Sequence, residues 1–403
     1  MVTARPNASP RPRRILHVLP DLAVGGGQQL LCRAVEASDP GRVSHLVCGV
    51  RSDASMRTTL ERVGARTYVL ETRGKTGMIR ALPFMASVIR REGVEVIHTN
   101  NTNEDRQFGQ MLAMLTGRPL VNTIHSICRN ADVRTMADRM SRHLARCRPR
   151  RVIAVSEIVR STWLPVLVRS RIPADHVHVV HPGLDLEAFD AYRGNGVVQA
   201  LRAELAADGG PLLVNVARLH PGKGQADLVP VMVEVVRRWP SAVLAVAGDG
   251  PERPALERAI RAAGLGERIR LLGDRDDVPA LLAAADVLVF PSLDEGFGLV
   301  ALEAMAAGTA VVAYDLPALR EFVEPDASAS LVATSDSAAL SAAVVAVLDD
   351  TDRRVDMGRK GRAIVEDRFA LRRSAEATAD IYDLACGPEV APPRTDDTPL
   401  SGG

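Results

Sequence analysis

Short runs of β-branched and aliphatic residues alternate along most of this chain with longer stretches whose apolar positions recur every three to four residues. A strand covered on both faces reads as a continuous apolar run, whereas an amphipathic helix repeats about every 3.6 residues, so the alternation predicts parallel strands joined by crossover helices. In the first half the predicted strands are 15–19, 45–48, 67–70, 95–98, 120–124, 151–155 and 177–180. The strand signal then stops between Asp185 and Gly210, where Gly194, Gly196, Gly209 and Gly210 surround one short helical patch, and a linker is expected there. The rhythm restarts with 212–216, 242–247, 269–272, 287–290, 310–313 and 330–332. A long helical stretch, 353–384, follows, and whether it returns to the first domain is left open by the sequence.

The fold class is therefore α/β, with two Rossmann-like, doubly wound domains in tandem. Ligands of such sheets bind at the carboxyl ends of the strands, so a central cleft between the two sheets is the expected site. The expected division is a tail over 1–13, a first domain over 14–186, a linker over 187–210, a second domain over 211–365, a C-terminal helix over 366–386 and a second tail over 387–403.

Composition narrows the classes. The chain has 403 residues, 46% hydrophobic and 25% charged, which suits a folded globular protein of more than one domain. Its formal net charge of +1 gives no global attraction for nucleic acid, so any anion-binding surface must be local. Cys32, Cys48, Cys128, Cys147 and Cys386 are scattered without CxxC spacing, which favours reduced thiols over a disulfide frame or a zinc site. The polar, Arg/Pro-rich start carries no apolar core of a leader, and no run reaches the roughly 18 apolar residues of a spanning helix. A cytoplasmic protein is expected.

The most informative segment runs from Pro291 through Asp294, Glu295, Gly296, Phe297, Gly298 and Leu299 to Glu303 and Gly308. It follows a predicted strand, and its glycines sit where a loop turns into a helix, whose free N–H groups and dipole favour phosphate or sugar oxygens. Glu295 before that helix and Glu303 inside it are carboxylates able to accept hydrogen bonds from sugar hydroxyls. A second segment, 215–224, places Arg218 and Lys223 five residues apart across a Pro-Gly turn, a charge pair suited to a leaving diphosphate. In the first domain Gly25, Gly26 and Gly27 precede a helix carrying Leu30 and Leu31. Leu30 stands where the third glycine of a dinucleotide fingerprint belongs, and the glycines come late after the strand, which counts against a dinucleotide-dependent oxidoreductase.

Taken together, Gly25-Gly26-Gly27-Gln28, the strand end 152–156, the turn 218–224, Gly248-Asp249-Gly250-Pro251 and the E-x7-E pair Glu295 and Glu303 resemble a family 4 retaining glycosyltransferase of the GT-B fold, over about 15–383. The resemblance implies a nucleotide-diphosphate-sugar donor held mainly by the second domain and an acceptor on the side of the first. Arg218 and Lys223 would bind the diphosphate, Glu303 the ribose, and Glu295 with the amides of Gly296, Phe297, Gly298 and Leu299 the donor sugar. Gly25 and Gly26 would close over the phosphates. His125 matches the family's active-site histidine, and His98 and Asn100 resemble positions facing the acceptor. Gln28, Pro182 and Ala310 depart from common family residues, and 314–321 lacks the usual Gly pair, which leaves donor-sugar recognition open.

The resemblance further implies retention of configuration and no metal or other cofactor, with Arg218, Lys223 and helix-end amides in the role of an ion. No carboxylate cluster in the sequence marks a metal site. An epimerase or phosphorylase of the same fold is the alternative, and a non-catalytic nucleotide-sugar binder fits Glu295, Lys223 and His125 less well. One segment stands apart: 129–151 carries Arg129, Arg134, Arg139, Arg142, Arg146, Arg148, Arg150 and Arg151 against Asp132 and Asp138. On a helix several of these share one side, which could meet anionic lipid headgroups or a phosphorylated acceptor, or be a solvated face.

Overall fold

The computed structural model describes residues 11–23, 26–100, 103–128, 149–194 and 196–388. Gly25 and most of the arginine-rich segment, Arg129 to Arg148, lie outside the described residues.

Thirteen strands form two parallel sheets. The first contains β1 (Arg13–Leu19), β2 (Val43–Gly49), β3 (Arg66–Val69), β4 (Val96–Thr99), β5 (Leu120–Ile124), β6 (Arg151–Ala154) and β7 (Val177–Val179), in the spatial order β3-β2-β1-β4-β5-β6-β7. The second contains β8 (Leu212–Val216), β9 (Val243–Ala247), β10 (Ile269–Gly273), β11 (Val287–Phe290), β12 (Ala310–Tyr314) and β13 (Ser330–Val332), in the order β10-β9-β8-β11-β12-β13. All thirteen expected strands are present. Every residue of β5, β9, β11 and β12 is buried, as parallel strands covered by helices on both faces require. Strand order reverses between β1 and β4 and again between β8 and β11, and these switch points place the site.

The stretch 187–210, read from its glycines as a linker, carries the helices Glu187–Asp190 and Gly196–Leu205. Phe189, Leu201 and Leu205 are buried in the same core as Leu212 and Leu302. Gly194 and Gly209 have φ of +67° and +71°, so they mark tight turns between packed elements.

The long C-terminal stretch is two helices, Thr351–Arg368 and Leu371–Cys386, parted at Phe369 and Ala370. The break is tertiary in origin. Leu184 N–H donates to Phe369 O (2.8 Å) and Leu371 N–H to Leu184 O (2.9 Å), so the outgoing and returning crossings between domains are stitched together. Gly183 sits under this junction, where a Cβ would lie 2.6 Å from Leu371 Cα. Leu371–Cys386 then packs Ala379, Ile381, Tyr382 and Ala385 on Ile15, Val96, Val121 and Ile153 of the first sheet. Its acids meet Arg13 (2.5 Å to Asp383) and Arg42 (2.6 Å to Asp380, 2.7 Å to Asp383).

One buried arginine fixes a helix that reaches the site. Arg362 donates to Ala306 O (2.6 Å) at the C-terminal end of the helix Leu299–Ala307, to both Asp190 oxygens (2.9 and 3.0 Å) and to Glu366 (2.6 Å). A cation on the last carbonyls complements the helix dipole. Arg362→Met removes these bonds while keeping much of the packing, and since Asp190 and Glu366 are half-exposed they regain water. The expected loss of stability is about 2 kcal/mol in urea denaturation, and a loss within ~0.5 kcal/mol would show that the cluster is not structural.

Candidate active site

A cavity of about 300 Å³ opens where the carboxyl ends of the two sheets meet. His125, Val155 and Pro182 line it from the first domain, after β5, β6 and β7. Arg218 and Lys223 after β8, and Glu295 to Val300 after β11, line it from the second.

The Arg218 turn is built on backbone contacts that only glycine permits. Ala217 N–H donates to Ala247 O (3.0 Å) and Leu219 N–H to Asp249 O (3.0 Å), laying the turn along Gly248-Asp249-Gly250. Gly248 and Gly250 have φ of +120° and +159°, and a Cβ on either would overlap the carbonyl of Ala217 or Leu219. The glycine pair of that motif is thus a close-packed brace under Arg218. Further along, Leu293 N–H donates to Gly222 O (3.0 Å), which joins the Lys223 turn to the acidic loop. Lys223 Nζ consequently lies 2.7 Å from Glu295 Oε1, both largely buried, with 30% and 13% of their side chains exposed. The Arg218 guanidinium lines the cavity without a hydrogen bond or ion pair to another described residue.

Gly298, at φ +95°, turns the acidic loop into the helix Leu299–Ala307 and offers no side-chain cap. The first amides of that helix, at Leu299 and Val300, have no intrahelical acceptor and sit on the cavity wall. Cations and helix tip therefore converge on one volume, an arrangement that favours an anion.

From the other domain His125 closes the cavity. A Cβ on Gly296 would collide with the His125 carbonyl oxygen, and Ser156 Oγ donates to Gly296 O at 2.5 Å. Trp163 Nε1 holds the next carbonyl, Ser126 O, at 2.8 Å. The His125 ring is open to the cleft, yet crowding by both lobes lowers its pKa to about 4 by desolvation, which keeps it neutral near pH 7.

Glu303 sits one turn into the helix and outside the cavity lining. Burial raises its pKa to about 7, opposed by Arg33 of the first domain, whose Nη1 is 3.9 Å from Glu303 Oε1. Gly26 begins the helix Gly26–Ala37 that carries Arg33. Arg218, Lys223, Glu295, Gly296, Phe297, Gly298, Leu299 and His125 are thus brought together, with Glu303 beside them.

The acceptor-facing expectation for His98 needs correction. His98 is 6% exposed, with Nδ1 2.8 Å from Tyr382 Oη and Nε2 2.7 Å from Thr123 Oγ1, so neither ring nitrogen faces a ligand. The cause is the returning helix Leu371–Cys386, which covers that face of β4 and supplies Tyr382. Asn100 is half-buried, and its N–H donates to Asp105 Oδ2 (2.9 Å); it does not line the cavity. Pro182, noted in the sequence as a departure, does line it, as do Val155 and Val216, which carried no chemical signal. Among the described residues no cluster of three or more His, Cys, Asp or Glu is placed to hold a metal, and no helix is long and apolar enough to cross a membrane.

The model of the family described as glycosyl transferases group 1 matches residues 198–364, and that of glycosyltransferase family 4 matches 31–188. The 2-deoxystreptamine N-acetyl-D-glucosaminyltransferase of Streptomyces fradiae is 31% identical over 371 residues, covering 82% of this chain and 84% of that protein. The 2-deoxystreptamine glucosyltransferase of Streptomyces kanamyceticus is 30% identical over 70% of this chain and 74% of its own. Among solved structures, Anabaena Alr3699/HepE in complex with UDP and glucose superposes with a TM-score of 0.79 at 23% identity, over 92% of this chain and 99% of that one, which gives the fold. With one family model on each domain and both sheets facing a shared cavity, the chain belongs to the family 4 glycosyltransferases of the GT-B fold.

Proposed function

We propose that the protein transfers a sugar from a nucleoside diphosphate sugar to an acceptor hydroxyl with retention of anomeric configuration. The observation that carries this reading is the convergence of Arg218, Lys223 and the free amides of Leu299 and Val300 on one cavity that also holds Glu295 and His125. As the glycosidic bond breaks, negative charge grows on the departing diphosphate, and fixed cations and a helix tip stabilise that charge more than the ground state. Lys223 exchanges Glu295 for the phosphate as its counter-ion, and the freed Glu295 accepts hydrogen bonds from the sugar. His125, neutral, hydrogen-bonds the sugar from the other lobe. The acceptor enters on the face the phosphate leaves, and the phosphate takes its proton. With Arg218 and Lys223 supplying the positive charge, no metal is required.

Uridine is the proposed base, because HepE binds UDP and UDP-glucose. For the acceptor, the relatives named for 2-deoxystreptamine and D-inositol 3-phosphate share a hydroxylated cyclohexane ring, so a cyclitol hydroxyl is proposed. The test is a thermal-shift screen of UDP, GDP and ADP and their sugars, followed by transfer to cyclitols with and without a chelator. UDP should raise the melting temperature most, and an α-linked sugar should give an α-linked product in either condition. Sugar released or isomerised without an acceptor, an inverted product, or activity lost to the chelator and restored by magnesium would contradict the reading.

Glu303 gives the donor site a pH dependence. A carboxylate accepts ribose hydroxyls better than a carboxylic acid does, and burial holds this group's pKa at about 7. Affinity for the nucleoside diphosphate is therefore expected to be full above pH 7 and to fall by up to about tenfold per unit below it. Calorimetric titration between pH 6 and 8 should show this slope in the native protein in excess of any in Glu303→Gln. Equal slopes would remove Glu303 from ribose binding.

A further inference from the structure

The two lobes are held by more than the cavity they share. At the end of the turn Leu319–Glu321 in the second domain, Glu321 reaches across to the helix Glu157–Arg169 of the first. Its Oε2 accepts from Glu157 N–H at 2.8 Å and its Oε1 from Ile158 N–H at 3.0 Å, the first two amides of that helix. Ser156, the N-cap, accepts from Val159 N–H at 3.1 Å. A helix that would be capped within its own domain is therefore capped in two parts, one of which belongs to the other domain.

A third group closes the arrangement. His181 Nε2 lies 2.9 Å from Glu321 Oε2, and its ring stacks on Phe297 with centroids 5.5 Å apart. Phe297 belongs to the acidic loop and also packs against Phe322, next to Glu321, and Phe369, at the return crossing. Burial pushes the Glu321 pKa up, but His181 and the two amides outweigh it and hold the group below the usual carboxylate range. A charged acceptor on a helix N-terminus is the stronger form of such a bond.

We propose that Glu321 is a positioning residue that clasps the lobes in their reactive arrangement, acting through the helix Glu157–Arg169 and Ser156 to hold His125 against Gly296 over the donor cavity. The inference rests on the transferase reading of that cavity. Arg218, Lys223, Glu295 and Glu303 all stand on the second domain, so donor binding does not need the clasp, whereas bringing His125 and the acceptor side to the sugar does. The clasp sits where the chain crosses twice between domains, so a small loosening there is a rotation at the cleft.

The test uses full-length Glu321→Gln, which keeps the shape and one amide acceptor but loses the charge, with His181→Ala as a second variant that leaves both amide bonds. Hydrogen exchange at the start of the helix Glu157–Arg169 and the radius of gyration in solution read the lobes without reference to activity. Steady-state kinetics and UDP titration read the site. The expected result is faster exchange at Glu157 and Ile158, a larger radius of gyration, kcat lower by about tenfold or more and the UDP Kd unchanged within ~threefold. His181→Ala should shift the same way by less.

Unchanged exchange and dimensions, or a UDP Kd that rises with kcat preserved, would overturn the proposal. Native protein that transfers no sugar would instead sink the transferase reading, while exchange and dimensions still decide the clasp.

Discussion

Lys223 and Glu295 pair at 2.7 Å on the cavity wall, where the carboxylate is largely buried and the lysine about one third exposed, with 13% and 30% of their side chains accessible. On the proposed reading Lys223, already paired, would bind an incoming diphosphate by changing counter-ion, not by gaining one. Such an exchange would tie donor binding to the release of Glu295, so that the carboxylate would reach the sugar only once phosphate had arrived. The Arg218 guanidinium, which has no hydrogen bond or ion pair among the described residues, adds charge that needs no such exchange. The Arg218 turn depends on Gly248 and Gly250, and the helix tip on Gly298, whose positive φ values other residues adopt only under strain.

That half of the machinery lies on one domain, and the other half arrives by contact. Gly296 approaches His125 so closely that a methyl group would not fit, and Ser156 bonds the same glycine's carbonyl. The chain passes twice through a single hydrogen-bonded junction at Leu184 and Phe369 to Leu371, so the lobes are jointed at one place and meet at another. The interface is mixed: Phe297, Phe322 and Phe369 cluster with His181, and Ile124 and Val152 of one domain share a core with Phe297 and Leu302 of the other. The groups that cross it are therefore as much a part of the site as those that line it.

The strands were legible because parallel strands covered on both faces leave an unbroken apolar run, and runs such as 243–247 and 287–290 are short, rich in valine and bounded by polar, Gly or Pro residues, which favours a strand over a buried helix. The residues that line the second domain's side of the cavity stood out in the sequence because glycine, proline and charge cluster where a strand ends. His98 was misread because its environment comes from Tyr382, nearly three hundred residues later, on a helix whose return no local pattern fixes. The break at Phe369 and Ala370 has no Gly or Pro to announce it, since it follows from the pairing with Leu184. Glu321 carried no motif at all, because its partners are two backbone amides and a histidine on the other domain. The glycines of 187–210 do mark turns, but turns between buried helices.

A crystal structure of the protein with a bound nucleoside diphosphate decides whether Lys223 changes partner. Phosphate oxygens are expected within hydrogen-bond distance of Lys223 Nζ, the Arg218 guanidinium and the amides of Leu299 and Val300, with Glu295 drawn away from the lysine. A nucleotide bound elsewhere while the 2.7 Å pair between Lys223 and Glu295 stays intact would contradict that exchange.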